Sequence, residues 1–572
     1  MRRLALAALV ATVLGAAGTA QAATTSQDAR FTASDGVTLQ TTVTGQAPLT
    51  ARPTIVEFSP YGRNSQTIDP GPAFNMLLVQ IRGTGDSDGT FDALGPRTQR
   101  DVQEVLRWAC HQSFSDGDLG LNGFSASAIT IYNSLHLALP CVKAAVLKSG
   151  TLELYRDLLW PGGVSNMVPG IGVLGLIGAP ATEQGGDRLQ RAPASSADVA
   201  TGLIEAGVDG GVVHPTLDTW WRQRGFRGDV NHLPILMIDG FFDVESRGAF
   251  QAYQRLKGDG AHLFVIGAHD GAPAGTDAGL GEMRAWLDRY VRGVPNGVED
   301  HPRVQLWMSH GARESDLGGD FVRYDASDWP VPGTNWVPLA LDPATSGTAH
   351  SINDGTLSLA APAASATQSY PAVVSDTFNS DPPNTAIVGS DGPNQAAGFF
   401  PPFTEMTLSE PLGLSYTTAP LKAPVMAAGP LDLDLQLSTT APETAIWAVV
   451  SDVSPDNVAH PLMLGRLSTN YPAIKRRRSL VDANGNVVEP YGVYSQSSPA
   501  TPGQTRLYHV EFWPIGNRFE TGHRIRLDLV GASAASKPNA PALNSVVVGG
   551  PHGSRLMFPV LPGSDLRGAL GG

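Results

Sequence analysis

Apolar positions along the first half of the chain recur in two alternating periods. Short runs at Thr54–Ser59, Met76–Ile81, Leu119–Gly123, Val142–Leu147, Pro234–Ile238 and His262–Ile266 have the length and near-continuous apolarity of buried strands. Between them the period lengthens. Val102, Val105, Leu106 and Ala109 fall at helical spacing, a helical stretch runs from the Gly123 turn to Leu139, and Phe250–Leu256 and Met283–Val291 read as helices. Strands that are apolar throughout need cover on both faces, so this alternation predicts a parallel sheet between helical layers. From Thr151 to about His232 the rhythm breaks into a Gly-rich stretch carrying Trp160, Trp220 and Trp221, read as an inserted, mainly helical cap.

After about residue 299 helical periodicity fades. Leu431–Leu437 alternates strictly, and Ile446–Val450, Leu507–Phe512 and Ile525–Leu529 read as further strands, several with one buried face. Clusters of Pro, Ser, Thr and Gly separate them, as in an all-β sandwich. The expected organisation is therefore an α/β domain over 23–298, with its cap at about 151–232, and an all-β domain over 299–572. Residues 370–403 form a long polar connection.

Residues 1–22 are set apart as a targeting segment. Arg2 and Arg3 precede an apolar stretch, Leu4 to Leu14, and Ala20-Gln21-Ala22 has the small-x-small form of a signal-peptidase site. The stretch is shorter than the ~20 residues a spanning helix needs, so the expectation is an exported protein, secreted or periplasmic, without stable membrane insertion. Composition adds two restrictions. With 572 residues there is length for two to four domains, and a formal net charge of −14 argues against binding nucleic acid through bulk charge. The one basic run, Lys475-Arg476-Arg477-Arg478, reads as a solvated loop. The two cysteines, Cys110 and Cys141, are expected to form a disulfide at the end of the sheet opposite the active site, since an oxidising compartment permits it.

The strongest chemical signal is Gly123-Phe124-Ser125-Ala126-Ser127, between a strand and a helix. A serine on such a turn, flanked by small residues, presents its hydroxyl as a nucleophile. Its partners are expected downstream in the order acid, then histidine. The strand Pro234–Ile238 leads into Asp239-Gly240-Phe241-Phe242-Asp243, and His262–Ile266 leads into Gly267-Ala268-His269. Both places lie past the C-terminal ends of strands, where open α/β sheets bind ligands. Asp243 is taken as the acid, with Asp239 its rival, and His269 as the base. His262 stands at the far end of its strand. Asp86-Ser87-Asp88-Gly89 lacks the glutamate that would complete a calcium loop and reads as a turn.

Taken together, these residues resemble the X-prolyl dipeptidyl peptidase/cocaine esterase family of α/β-hydrolases. Ser59-Pro60-Tyr61-Gly62-Arg63 is similar to the segment carrying the family's oxyanion tyrosine, and Arg82 to Gly89 to its RGxGxSxG turn. Trp108, Gln112, Gly240-Phe241-Phe242-Asp243 and Trp286 to Tyr290 also fit, and Phe519 to Leu527 resembles a strand of the C-terminal jelly roll. The resemblance implies an α/β-hydrolase domain followed by a jelly roll, and an oxyanion hole made by the Tyr61 hydroxyl and the Ala126 N–H. Three positions depart from the pattern. Ala126 and Ala128 replace the Tyr and Gly of the elbow, Gly267-Ala268-His269 is a shortened form of the segment before the base, and Gln80 stands where an Asp is usual.

The implied activity is acyl transfer to Ser125 and hydrolysis by water, with no metal or organic cofactor. The substrate is a small ester or amide, or a short peptide. A dipeptidyl peptidase would need an anion for the substrate's ammonium, for which Glu153, Asp157, Asp209 and Asp218 are available, although surface solvation is the expected role of each. It would also carry an N-terminal helical domain, and here the first strand is expected within about 30 residues of the cleavage site, so the esterase or acylase branch is favoured. A non-catalytic binding protein on the same scaffold is the third reading. The pattern leaves oligomeric state open.

Overall fold

The computed structural model describes residues 23–63, 70–166, 177–178, 181, 186–191, 193–228, 233–258, 260–267, 278–310, 321–373, 410–531 and 541–572. Ten strands form the first sheet: β1 (Thr24–Thr32), β2 (Thr38–Gln46), β3 (Arg52–Ser59), β4 (Asn75–Gln80), β5 (Ser115–Phe124), β6 (Val142–Lys148), β7 (Ile235–Asp239), β8 (Ala261–Ile266), β9 (Val304–Met308) and β10 (Val322–Ala326). Their order is β1-β2-β4-β3-β5-β6-β7-β8-β9-β10. From β4 to β9 neighbours run parallel, while β1 and β2 at one edge and β10 at the other are antiparallel.

The unbroken apolar runs have the expected cause. Successive side chains of a strand point to opposite faces, and here both faces are covered. Val56, Leu147, Met237 and Leu263 share one core with helix α1 (Pro96–Ala109) and helix α2 (Ala126–Ser134). Their strand neighbours Ile55, Val146, Ile238 and Phe264 share another with Met283, Trp286 and Leu287 of the helix Ala278–Tyr290. β9 and β10 lie past residue 299, where composition turns β-like, yet they continue this sheet. β10 is an edge strand with a half-exposed pattern, and such a strand resembles the alternating strands that follow it.

An eleven-stranded sheet follows, between Asn335 and Val560. Its last strand, Arg555–Val560, pairs with both Asn335–Asp342 and Val425–Thr439, so the sheet curls round and closes. Leu431, Leu433, Leu435 and Leu437 are fully buried in its interior core. Asp432, Asp434 and Gln436 alternate with them on the opposite face.

The cap contributes the helices Gly186–Arg191, Pro193–Val208 and Thr219–Arg222 between β6 and β7. It is anchored on the β domain. Trp160 and Trp221 join the core of the second sheet, and a side chain at Gly162 (φ 62°) would meet the carbonyl oxygen of Arg466 at 1.9 Å. Asp157 is not the solvated acid expected of the cap. It is wholly buried and ion-paired with Arg247, which also holds Glu511 of the β domain at 2.7 Å. Cys110 and Cys141 are bonded, with Cα atoms 6.2 Å apart. The bridge ties the end of α1 to the start of β6, beside the N-terminal half of β5, where the Leu119 N–H donates to the Cys141 carbonyl. Among the described residues no helix is long and apolar enough to cross a membrane. The predicted targeting segment, residues 1–22, lies outside the described residues.

Candidate active site

β5 ends at Phe124, α2 begins at Ala126, and Ser125 alone makes the turn, at φ 54° and ψ −126°. That is a strained conformation for a residue with a Cβ, of a kind that persists where the surroundings enforce it. The Ser125 N–H donates to the Lys148 carbonyl at 3.0 Å and the Ser125 carbonyl accepts from Ile129 at 3.0 Å. Gly123 is required: a Cβ there would meet the Ala128 nitrogen at 2.7 Å. Gly150 gives the same clearance on the other side, where an added Cβ would stand 2.8 Å from that of Ala128. The Ala128 methyl therefore fits a space that Gly150 leaves open, which accounts for the departure from glycine at that position.

Tyr61 follows β3, with its N–H bonded to Ser59 Oγ at 3.1 Å. Its buried hydroxyl accepts from the Ala126 N–H at 3.1 Å and also hydrogen-bonds Ser125. The sequence-predicted nucleophile and both predicted oxyanion donors thus meet at one point. Burial is the main cause that pushes the Tyr61 hydroxyl up to about 12, and the charges of Glu245 and Glu57 add to it. The hydroxyl keeps its proton through the neutral range and is available as a donor.

The acid loop follows β7. Asp239 ends that strand and Asp243 lies four residues on, both wholly buried. Asp243 Oδ1 accepts from the Glu245 N–H at 2.7 Å. The Phe242 N–H donates to the Gly267 carbonyl at 3.2 Å. This bond pins the acid loop beside the end of β8, two residues before His269. His269 itself lies outside the described residues. Asp239 faces inward, its Oδ1 accepting from the Gly240 N–H at 2.7 Å. Burial, then the charge of Asp243, hold its carboxyl well above the usual range. His262 sits at the start of β8 against Trp286, with ring centroids 4.9 Å apart, away from the elbow. Burial, with the charges of Arg303 and His301, lowers it to about 4.

The predicted turn of residues 82–89 is a structural support. Arg82 pairs with the buried Asp101 at 2.5 Å, and Gln80 Oε1 accepts from the Asp86 N–H at 2.8 Å, so Gln80 is built into the turn. Sequence reasoning passed over Glu57, which is fully buried and accepts from Ser127 Oγ at 3.4 Å. A glutamate inside the apolar run TIVEFS was the available signal. It also missed the cluster of Asp432, Asp434 and His509, whose ligand atoms lie within 4.8 Å of one another. His509 Nδ1 bridges the two carboxylates at 2.6 and 3.0 Å, Arg555 holds Asp434 at 2.8 Å, and burial raises the Asp432 carboxyl to about 7.

Two family models match the chain. The X-Pro dipeptidyl-peptidase (S15 family) model covers residues 35–270, and the X-Pro dipeptidyl-peptidase C-terminal non-catalytic domain covers 296–542. The chain belongs to the S15 family. Across this family it is 24% identical over 537 residues to cocaine esterase from Rhodococcus sp. (strain MB1 Bresler), covering 85% of this chain and 88% of that one. A putative serine esterase of Mycobacterium bovis is 29% identical over 153 residues, 26% of this chain and 24% of the relative. Among solved structures, a CocE/NonD family hydrolase from Staphylococcus aureus superposes with a TM-score of 0.74 at 17% identity, covering 93% of both chains. An α-amino acid ester hydrolase gives 0.69 at 17% identity, covering 97% of this chain and all of that one. These structures share the fold, an α/β-hydrolase domain with a C-terminal all-β domain. As a member of the S15 family the protein is a serine hydrolase of the esterase/peptidase type.

Proposed function

We propose that the protein is an exported hydrolase that cleaves ester or amide bonds of small acyl substrates through Ser125, His269 and Asp243. The observation that carries this reading is the convergence of Ser125, in its strained elbow conformation, with the Ala126 N–H and the Tyr61 hydroxyl. His269 accepts the Ser125 proton as Oγ attacks the acyl carbon, and Asp243 orients and stabilises the imidazolium. The carbonyl oxygen becomes an oxyanion that draws on the Ala126 and Tyr61 donors, where one such donor is worth about 3–4 kcal/mol. His269 then protonates the leaving alcohol or amine, and water releases the acid from the acyl-enzyme. Export rests on the form of residues 1–22.

The cap favours the esterase or acylase branch over release of X-Pro dipeptides. Three of the four acids available to hold a substrate ammonium have other partners. Asp157 is tied to Arg247, Glu153 pairs with Arg156 at 2.9 Å, and Asp218 caps the helix Thr219–Arg222 while pairing with His214 at 2.5 Å. The test is a parallel assay of p-nitrophenyl acyl esters and Gly-Pro-anilide with wild type and Ser125→Ala. Ester turnover that disappears in Ser125→Ala is expected. Preferential cleavage of the anilide would reassign the substrate, and full activity of Ser125→Ala would remove the nucleophile.

A further inference from the structure

The acidic chain gathers cations at one place away from the catalytic serine. A cavity of about 310 Å³ lies between the cap and the loop of the β domain that carries the basic run. Arg156, Arg222, Arg227, Arg255, Lys475 and Arg478 line it, and among the described residues Glu153 is the one carboxylate in its lining. All of these cations except Arg156 are exposed, and among the described residues none of those five has a carboxylate partner. Arg222 and Arg255 donate to the carbonyls of Leu217 and Gly228, and Arg227 to the Gln99 amide. A second cavity, about 440 Å³, shares Leu152, Glu153, Arg255, Arg478 and Tyr491 with the first and extends it toward Arg247.

The floor of the first cavity supplies an independent observation. Arg156 is buried, with 3% of its side chain exposed, and gives one nitrogen to Glu153. Its Nη1 is buried with no hydrogen-bond partner. A buried guanidinium N–H without an acceptor is costly, and its planar fork suits a carboxylate or phosphoryl group. Arg156 and Arg478 both lie over the Tyr491 ring, at 4.1 and 3.8 Å from its centroid. The Tyr491 ring relieves part of their repulsion and Glu153 balances Arg156, but Arg478 has no carboxylate partner among the described residues, so the pair carries one cation in excess. Solvent and salt screen the exposed cations; the same is not true of Arg156.

We propose that this cavity binds a small polyvalent oxyanion, a compound bearing two or more phosphoryl or carboxylate groups, with Arg156 holding one group at the floor and Arg255 and Arg478 closing over the others. The site spans the cap and the β domain, so an occupant joins them. It uses neither Ser125 nor its partners, and the proposal stands or falls separately from the hydrolase reading.

Calorimetric titration of the full-length mature chain tests it, with pyrophosphate and citrate as separate probes and sodium chloride at matched ionic strength as the blank. Saturable binding of one anion per chain is expected. Arg255→Gln/Arg478→Gln should weaken it at least tenfold, and Arg30→Gln, on an exposed strand remote from the cavity, should leave it unchanged. Tighter binding of pyrophosphate assigns a phosphoryl ligand, and tighter binding of citrate a polycarboxylate. Heat that matches the chloride blank, or equal binding by the double variant, would overturn the proposal. Ester turnover, retained in the double variant, verifies that the fold is intact.

Discussion

Asp239 and Asp243 are four residues apart, equally buried, and different in chemistry. Asp239 sits at the end of β7, where burial and then the neighbouring Asp243 raise its carboxyl well above the usual range. Asp243 lies in the loop that the Phe242–Gly267 bond holds against the chain leading to His269. Asparagine is nearly isosteric with aspartic acid and keeps an oxygen to accept from the Gly240 N–H, so Asp239→Asn should reduce kcat by less than about tenfold. Asp243→Asn should reduce it by up to about 10⁴-fold, the loss seen when the orienting acid of a serine protease is neutralised. Steady-state kinetics on both variants at matched stability decides, and the opposite ranking moves the acid to Asp239. The half-buried His509 of the β domain gives a pH test. Burial would lower the His509 pKa, but Asp432 and Asp434 outweigh it and raise it from 6.5 to about 10. A raised folded-state pKa stabilises fully below the unfolded value and is lost as pH rises through the folded one. The wild type should therefore lose stability between about pH 6.5 and 10, and His509→Gln should flatten that slope. Urea midpoints measured across this range check it, and an unchanged slope would show that the cluster is not the source.

At the level of elements, the acid loop is braced by the second sheet. Phe241 is buried between Phe250 (centroids 5.7 Å apart) and Gly516 of the strand Arg506–Phe519. A Cβ on Gly516 would come within 2.2 Å of the Phe241 ring. Nearby, Ser309, just past β9, bonds the Gly516 carbonyl and the Asn517 side chain. Gly516→Ala should displace the ring and, two residues on, Asp243. Overpacking of this kind costs about 1–3 kcal/mol, and kcat should fall with KM nearly unchanged. Adding Phe241→Leu returns the space and should restore much of the rate. A double variant no faster than Gly516→Ala would indicate that the contact does not position the acid.

The two sheets and the cap meet on Arg247. It leaves the helix Ser246–Leu256, enters a wholly buried pair with Asp157 of the cap, and bonds Glu511 of the β domain. Gln251 and Gln254 of the same helix reach Glu489. Removing a buried cation leaves its carboxylates uncompensated, which costs about 3–5 kcal/mol, whereas replacing a whole buried ionic group by neutral residues is often tolerated. Arg247→Leu should therefore lower the thermal midpoint sharply. Arg247→Leu/Asp157→Asn/Glu511→Gln should recover part of the loss in calorimetric melts. A triple variant as unstable as the single one would mean that packing, not charge, holds the junction.

Local pattern determined much of this protein. Apolar runs marked the buried strands because both faces of the first sheet are covered, and strict alternation marked Leu431–Leu437 because one face is polar. The glycine–serine motif marked the turn at Ser125 because a tight strand-to-helix junction admits little else. What the chain could not convey is long-range company. β10 looks like a strand of the β domain and joins the first sheet, since edge exposure depends on neighbours. Asp157 looks like a surface acid and is buried on Arg247, 90 residues away. Lys475 to Arg478 look like a solvated loop, yet two of them border a cavity whose other cations come from the cap and from the helix after β7. A charge carries no mark of its partner in the sequence around it; its meaning is set by which distant groups the fold brings within a few ångströms, and that is decided only when the cap and both sheets close together.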